Sequence, residues 1–148
     1  MLKTANPIRV KMASIQNLNR IREELIESGK DDRYKIGGYD FVLNGLEFYL
    51  AKIGEKRHVS GHELSLGLLL FAQKQFGPLA EKVLEYWRIK KSDDFGNIVY
   101  NLISIGIMSK KPEDKIEDFY DVVSFQDYFE RQENFDIDPE FIKRIKGA

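Results

Sequence analysis

His58, His62 and Glu63 come closest to a chemical motif: two imidazoles four positions apart, with a carboxylate beside the second, in the run RHVSGHEL. On one helix face that spacing can hold a divalent metal and present a base. Local signals break the arrangement. Ser60 and Glu63 have the Ser-x-x-Glu spacing in which each side chain satisfies the other's orphan backbone N–H, so a helix is expected to start at Gly61. His58 then precedes the helix, the two rings do not share a face, and no third ligand is identifiable. His62, in the first turn, meets the positive helix end, which favours a neutral imidazole suited to hydrogen bonding. With Arg57 alongside, Arg57, His58 and His62 form a candidate anion or polar site; no metal or cofactor is assigned.

The other residues with chemical capacity are charged. Asp114, Glu117, Asp118 and Asp121, then Asp127, Glu130 and Glu133, are abundant enough for acid–base work, yet abundance alone reads as a solvated acidic face. Arg88, Lys90 and Lys91, and separately Lys110, Lys111 and Lys115, are candidate nucleic-acid contacts. The chain has no nucleophile elbow, phosphate loop or dense basic helix. Cysteine is absent, which excludes thiol catalysis, disulfides and cysteine-held zinc and fits a reducing cytoplasm.

Composition frames these groups. The chain has 148 residues, 43% hydrophobic and 32% charged, enough for one domain with a real core and a solvated surface. A net charge of −1 supplies no global pull towards nucleic acid or anionic membranes. The first residues lack the apolar run of a signal peptide, and the stretch from Leu64 to Ala72 is about half of what a membrane span needs.

The periodicity predicts helices that would position the candidate groups. Met12, Ile15, Leu18, Ile21 and Leu25 give an amphipathic helix over about 11–28, ended at Gly29. Phe41, Val42, Leu46, Tyr49, Leu50 and Ile53 give a second over about 39–53. A third, from Gly61, carries Leu64, Leu66, Leu68, Leu69, Leu70, Phe71 and Ala72; being apolar on most sides, it is the expected central helix. Gly77 stops it and Pro78 opens a shorter helix with Leu79, Ala80, Val83, Leu84 and Trp87 as its buried stripe. Ser92 then caps a helix whose first turn carries Asp93 and Asp94, whose inner face is Phe95, Ile98, Val99, Leu102 and Ile105, and where Gly96 would let another backbone approach closely.

Beyond Gly106, Ile107 and Met108, and then Phe119, Tyr120, Val122, Val123 and Phe125, favour strands, so a β-hairpin is expected; a helix opened by Pro112 with Ile116, Phe119 and Tyr120 as its stripe is the alternative over 112–124. The aromatic tail 126–148 contains Tyr128, Phe129, Phe135 and Phe141, with Asp138-Pro139 opening a short helix. Its aromatics either fold back on the core or cover a partner subunit, which favours a small homo-oligomer.

Three helices followed by a hairpin resemble a winged-helix domain over about 60–125. That family commonly inserts its third helix into the DNA major groove. Here that helix begins with Asp93 and Asp94 and has no Lys or Arg through Ile105, so the resemblance implies the fold more than the activity. RHVSGHEL, Phe76-Gly77-Pro78, Trp87-x-Ile89 and Asp94-Phe95-Gly96-x-Ile98-Val99-x-Asn101-Leu102 are also similar to a family of short uncharacterised bacterial proteins over about Tyr39 to Phe129. That resemblance implies a shared fold and brings no activity.

The expected fold is therefore mainly α with a small β-hairpin: a single domain of two N-terminal helices and a winged-helix-like unit. The expected function is a cytoplasmic protein-interaction or adaptor module, with protein partners (self or other) and no membrane. A nucleic-acid-associated protein and an enzyme built around His58 and His62 are the alternatives.

Overall fold

The computed structural model describes residues 3–4, 10–54 and 57–131. The order is β1 (Lys3–Thr4), α1 (Val10–Ile21) running into a π-helical turn (Arg22–Glu27), α2 (Ile36–Ile53), α3 (Gly61–Phe76), a 3-10 turn (Gly77–Leu79), α4 (Ala80–Tyr86), α5 (Ser92–Ser104), β2 (Met108–Ser109), a second 3-10 turn (Ile116–Phe119) and α6 (Phe125–Arg131). The fold is mainly helical with minor β structure, as its periodicities predict. Among the described residues no helix is long and apolar enough to cross a membrane.

Helix α3 is central. Every residue from Glu63 to Ala72 is buried, and α2, α4, α5, α6 and the second 3-10 turn all pack on it. Its start follows the capping signal, with Ser60 Oγ accepting from the Glu63 N–H at 3.1 Å. Helices α2 and α3 approach closely because each offers a glycine to the other's side chains. A Cβ on Gly67 would sit 2.7 Å from Tyr49 Cδ1, and one on Gly45 would sit 2.4 Å from a Leu68 methyl. The Tyr49 ring thus lies against the bare backbone of α3.

Several local expectations are corrected by tertiary packing. The hairpin expected between 107 and 124 does not form: β2 pairs antiparallel with β1, Lys3 opposite Ser109 and Thr4 opposite Met108. Residues Ile116–Phe119 turn as a 3-10 helix instead. The Asp118 carboxylate accepts the Lys115 N–H at 3.1 Å, and the i, i+3 spacing sends Ile116 and Phe119 inward while Tyr120 remains 43% exposed. Fully buried Phe119 lies over Gly96 and Gly61, where added Cβ atoms would come within 2.8 Å of it. What approaches Gly96 is therefore the Phe119 side chain and not the backbone expected there.

Leu79, expected in the buried stripe of the fourth helix, is 59% exposed. Gly77, at φ +53°, starts a 3-10 turn whose three-residue period shifts Leu79 out of phase with Ala80 and Leu84, which are buried. Ile15 on α1 is likewise exposed, at 73%, whereas Ile21 and Leu25 enter the core. Ser92 does not cap α5: its hydroxyl is buried and accepts the Val122 N–H at 3.1 Å, while Asp94 accepts the N–H groups of Lys90 and Lys91 at 2.8 and 3.2 Å. In the aromatic tail, Phe125 and Tyr128 are buried against the rest of the chain. Phe135, Phe141 and the helix expected after Asp138 lie outside the described residues.

Replacing Gly67 by Ala forces either the Tyr49 ring or α3 to move. The expected loss is about 1–3 kcal/mol by urea denaturation, the usual cost of overpacking a core. A stability equal to or above that of the parent protein would show that the α2–α3 contact is looser than described.

Candidate functional site

The residues singled out by type converge on one place, the start of α3. Glu63 belongs to the first turn of that helix and is fully buried. A buried carboxylate requires a charge partner and hydrogen bonds. Arg57 supplies the charge: its Nη1 lies 3.0 Å from Glu63 Oε1, and its Nη2 reaches Oε2. The same Nη1 donates to the His58 carbonyl at 3.0 Å, which folds the 57–60 segment around the guanidinium. Tyr49, from α2, donates its hydroxyl to Glu63 Oε2. Burial first, then that hydrogen bond, pushes the Tyr49 phenol well above its ordinary range, so it stays protonated as the donor.

His58 forms a second group. It is buried, with Nε2 3.4 Å from Asp114 Oδ2, and Asp114 is itself buried and accepts the Lys111 N–H at 2.9 Å. Tyr100, on α5, is also drawn into this environment. Its phenol is pushed up to about 12, by burial first and then by the carboxylates of Asp114, Asp118 and Glu117. Asp114, counted among the solvated carboxylates on sequence grounds, is thus an interior residue that ties the segment before α3 to the loop after β2.

A histidine oriented by a carboxylate has the form of a general base, and a base acts only where a substrate or nucleophile can reach it. His58 and Asp114 are each 9% exposed, and the hydroxyl of Ser65, buried on α3, is turned back onto the Gly61 carbonyl at 2.8 Å. His62 is half-buried in the first turn of α3. Among the described residues no three His, Asp or Glu side chains gather closely enough to hold a metal ion. Arg57, His58 and His62 are therefore neighbours in sequence with different tasks, and the Arg57 guanidinium that would take an anion is engaged by Glu63.

A second polar network covers α5. Tyr34 donates to Asp94 at 2.6 Å and accepts from Asn97 at 2.8 Å, while Asn101 donates to Asp31 at 2.8 Å and to the Tyr39 hydroxyl at 3.0 Å. The Arg33 guanidinium, helped by Asn101 and opposed by burial, holds the Asp31 carboxyl down at about 2. With this loop on one side and Phe119 on the other, no residue of α5 from Ser92 to Ile103 is exposed.

The candidate nucleic-acid contacts fall at two corners. Arg88, Lys90 and Lys91 are exposed on the turn from α4 to α5, where Arg88 adopts φ +69° and Lys91 lies 3.6 Å from Asp93. Lys110, Lys111 and Lys115 are exposed beyond β2, with Lys110 Nζ 3.3 Å from the Asp114 carbonyl. The remaining conspicuous surface runs from the 3-10 turn before α4 along that helix, where Leu79 and Tyr86 are 59% and 65% exposed. Half-buried Val83 lies between them at helical spacing, and the Lys35 ammonium sits 3.9 Å from the centre of the Tyr86 ring.

No family model, curated protein or solved structure matches the chain. Sequence reasoning missed Tyr49, read only as part of an apolar stripe, and Asp114, read as solvated. A buried tyrosine hydroxyl requires a partner, which was the available signal for Tyr49. For Asp114 the local bond to the Lys111 N–H says nothing of burial, and His58 lies 56 positions away.

The Arg57–Glu63 pair predicts a specific thermodynamic pattern. Arg57→Met removes the guanidinium that lies against the buried Glu63 carboxylate and costs about 3 kcal/mol, the lower end of the range for a broken buried pair because Arg57 is 27% exposed. Adding Glu63→Gln to Arg57→Met recovers a large part of that loss in urea titrations. Additive losses in the double variant would contradict the pairing.

Proposed function

We propose that the protein is a cytoplasmic protein-interaction module whose contact surface is the outer face of α4. The observation that carries this reading is the pair of exposed side chains Leu79 and Tyr86 with half-buried Val83 between them, where the other large apolar side chains among the described residues mostly enter the core. Aromatic and aliphatic anchors beside charged residues, here Glu81, Lys82 and Glu85, form the kind of patch that docks another protein. Assembly with a second copy belongs to the same reading.

Nucleic-acid association is the second reading, favoured by the exposed cluster of Arg88, Lys90 and Lys91. Groove reading requires a helix that presents donors to base edges. Helix α5, the one the winged-helix resemblance would send into the groove, is covered on both sides and carries Asp93 and Asp94 in its first turn, and the hairpin that would form the wing is absent from the described residues, which supports the protein-interaction reading over this one. An enzyme centred on His58 and His62 is supported less well, because His58 faces a buried carboxylate within the fold.

A photo-cross-linking phenylalanine analogue placed at Leu79 or Tyr86 in cells is expected to give discrete protein adducts that the same group at exposed Glu113 does not give. Equal adduct patterns from both positions, or salt-sensitive retention of the purified protein on mixed DNA and RNA, would overturn the proposal.

A further inference from the structure

We infer that the α4 face receives a second copy of this chain, head to tail, through the turn around Tyr120. The inference rests on the reading of α4 as the docking face and names its occupant. Among the described residues the well-exposed large apolar side chains are Ile15, Leu79, Tyr86 and Tyr120. The last three belong to two patches of opposite charge.

On α4 the apolar stripe has a cationic rim. Lys82, three residues after Leu79 and four before Tyr86, stands between them on the helix surface. The Lys35 ammonium lies against the Tyr86 ring, and exposed Arg88 follows at the helix end. At about 100° per residue, Glu81 and Glu85 fall on another flank of α4. In the second patch Tyr120, 43% exposed, stands between the exposed carboxylates of Glu117 and Asp121. One patch is therefore apolar with cations around it, and the other is an aromatic anchor with carboxylates around it.

The backbone marks the same two places. Among the described residues, the non-glycine residues with left-handed backbone are Arg88, at φ +69°, and Asp121, at φ +49°. Each follows an exposed tyrosine by one or two positions, and their charges are opposite. Arg88 occupies the position just past a helix end where glycine is favoured, and aspartate tolerates this conformation better than arginine does. The Arg88 guanidinium makes one long contact in the described structure, 3.5 Å to the Asp32 carbonyl. An arginine kept at a strained position with its side chain so weakly engaged points to a contact outside the protomer.

The charges also set the direction of assembly. Two α4 faces brought together would oppose Lys82 and Arg88 to their own copies, whereas α4 against the Tyr120 turn pairs cations with carboxylates and apolar anchors with each other. Such a contact leaves a free face and a free turn on every assembly, so it extends or closes as a ring.

Sedimentation of the full chain over a dilution series tests this. The expected result is a mass that rises with concentration beyond that of a dimer and falls as salt is added. Tyr86→Glu and Tyr120→Glu should each weaken association at least ten-fold. An equimolar mixture of the two should form a 1:1 dimer and nothing larger, because one variant keeps its turn and the other keeps its face. Both tyrosines are exposed, so the fold is expected to survive, and circular dichroism checks this. Arg88→Gly relieves the left-handed backbone, so it should unfold at a higher temperature yet associate at least three-fold more weakly.

A parent protein that stays monomeric at every concentration would overturn the proposal. So would association lost in Tyr86→Glu but kept in Tyr120→Glu, or a mixture of the two variants that stays monomeric, or Arg88→Gly associating as the parent does. Cross-linked adducts of other proteins at Leu79 with a monomeric parent would remove the second copy and leave the docking face standing. Association that both Tyr86→Glu and Tyr120→Glu leave unchanged would remove the head-to-tail contact whatever the adducts show.

Discussion

A fully buried carboxylate on the first turn of the central helix is the constraint on which the rest of this fold depends. Glu63 is held in the interior by Arg57 and Tyr49, and those two residues belong to different segments, the approach to α3 and the body of α2. Satisfying one charge therefore fixes the angle at which the chain enters α3 and the register of α2 against it. The bare backbone at Gly67 completes the arrangement, since it lets the Tyr49 ring come close enough for its hydroxyl to reach the carboxylate. A buried pair of this kind contributes little net stability compared with an apolar substitute, and its value is that other arrangements leave a charge unpaired.

The same logic runs outward from α3. His58, one residue beyond Arg57, meets Asp114 and so ties the start of α3 to the loop beyond β2. That loop turns through Ile116–Phe119 and places Phe119 over α3 and α5 at two glycines. Helix α5 is closed on its other side by Tyr34, Asn97, Asn101 and Asp31. The polar side chains that looked most capable of chemistry are thus occupied in joining elements. The α4 stripe, by contrast, has apolar area facing outward, which is why the functional proposal rests there.

What was legible in the sequence was local. Ser60 as a cap, Gly77-Pro78 as a stop and start, and the apolar periods of α2, α3 and α5 each depend on residues within a turn or two, and each is found where its pattern predicts. What was illegible depended on distant partners. Val122 and Val123 have strand propensity, yet the interior place available to Phe119 decides the conformation of that region, as tertiary context commonly overrides β preference. Leu79 left the buried stripe because a 3-10 turn changed the phase by a fraction of a turn, which no periodicity count resolves. Glu63 illustrates both sides: the position of the helix start could be read from Ser-x-x-Glu spacing, while the Arg57 and Tyr49 contacts of its carboxylate required the fold.

Native-state hydrogen exchange on the Arg57→Met protein tests the central claim most directly. If Glu63 couples the two helices, amides in the second half of α2, around Tyr49, and in the first half of α3, around Leu66, lose protection together and by similar factors. Loss of protection confined to the first turn of α3, with α2 unchanged, would contradict the account and reduce Glu63 to a local helix-end residue.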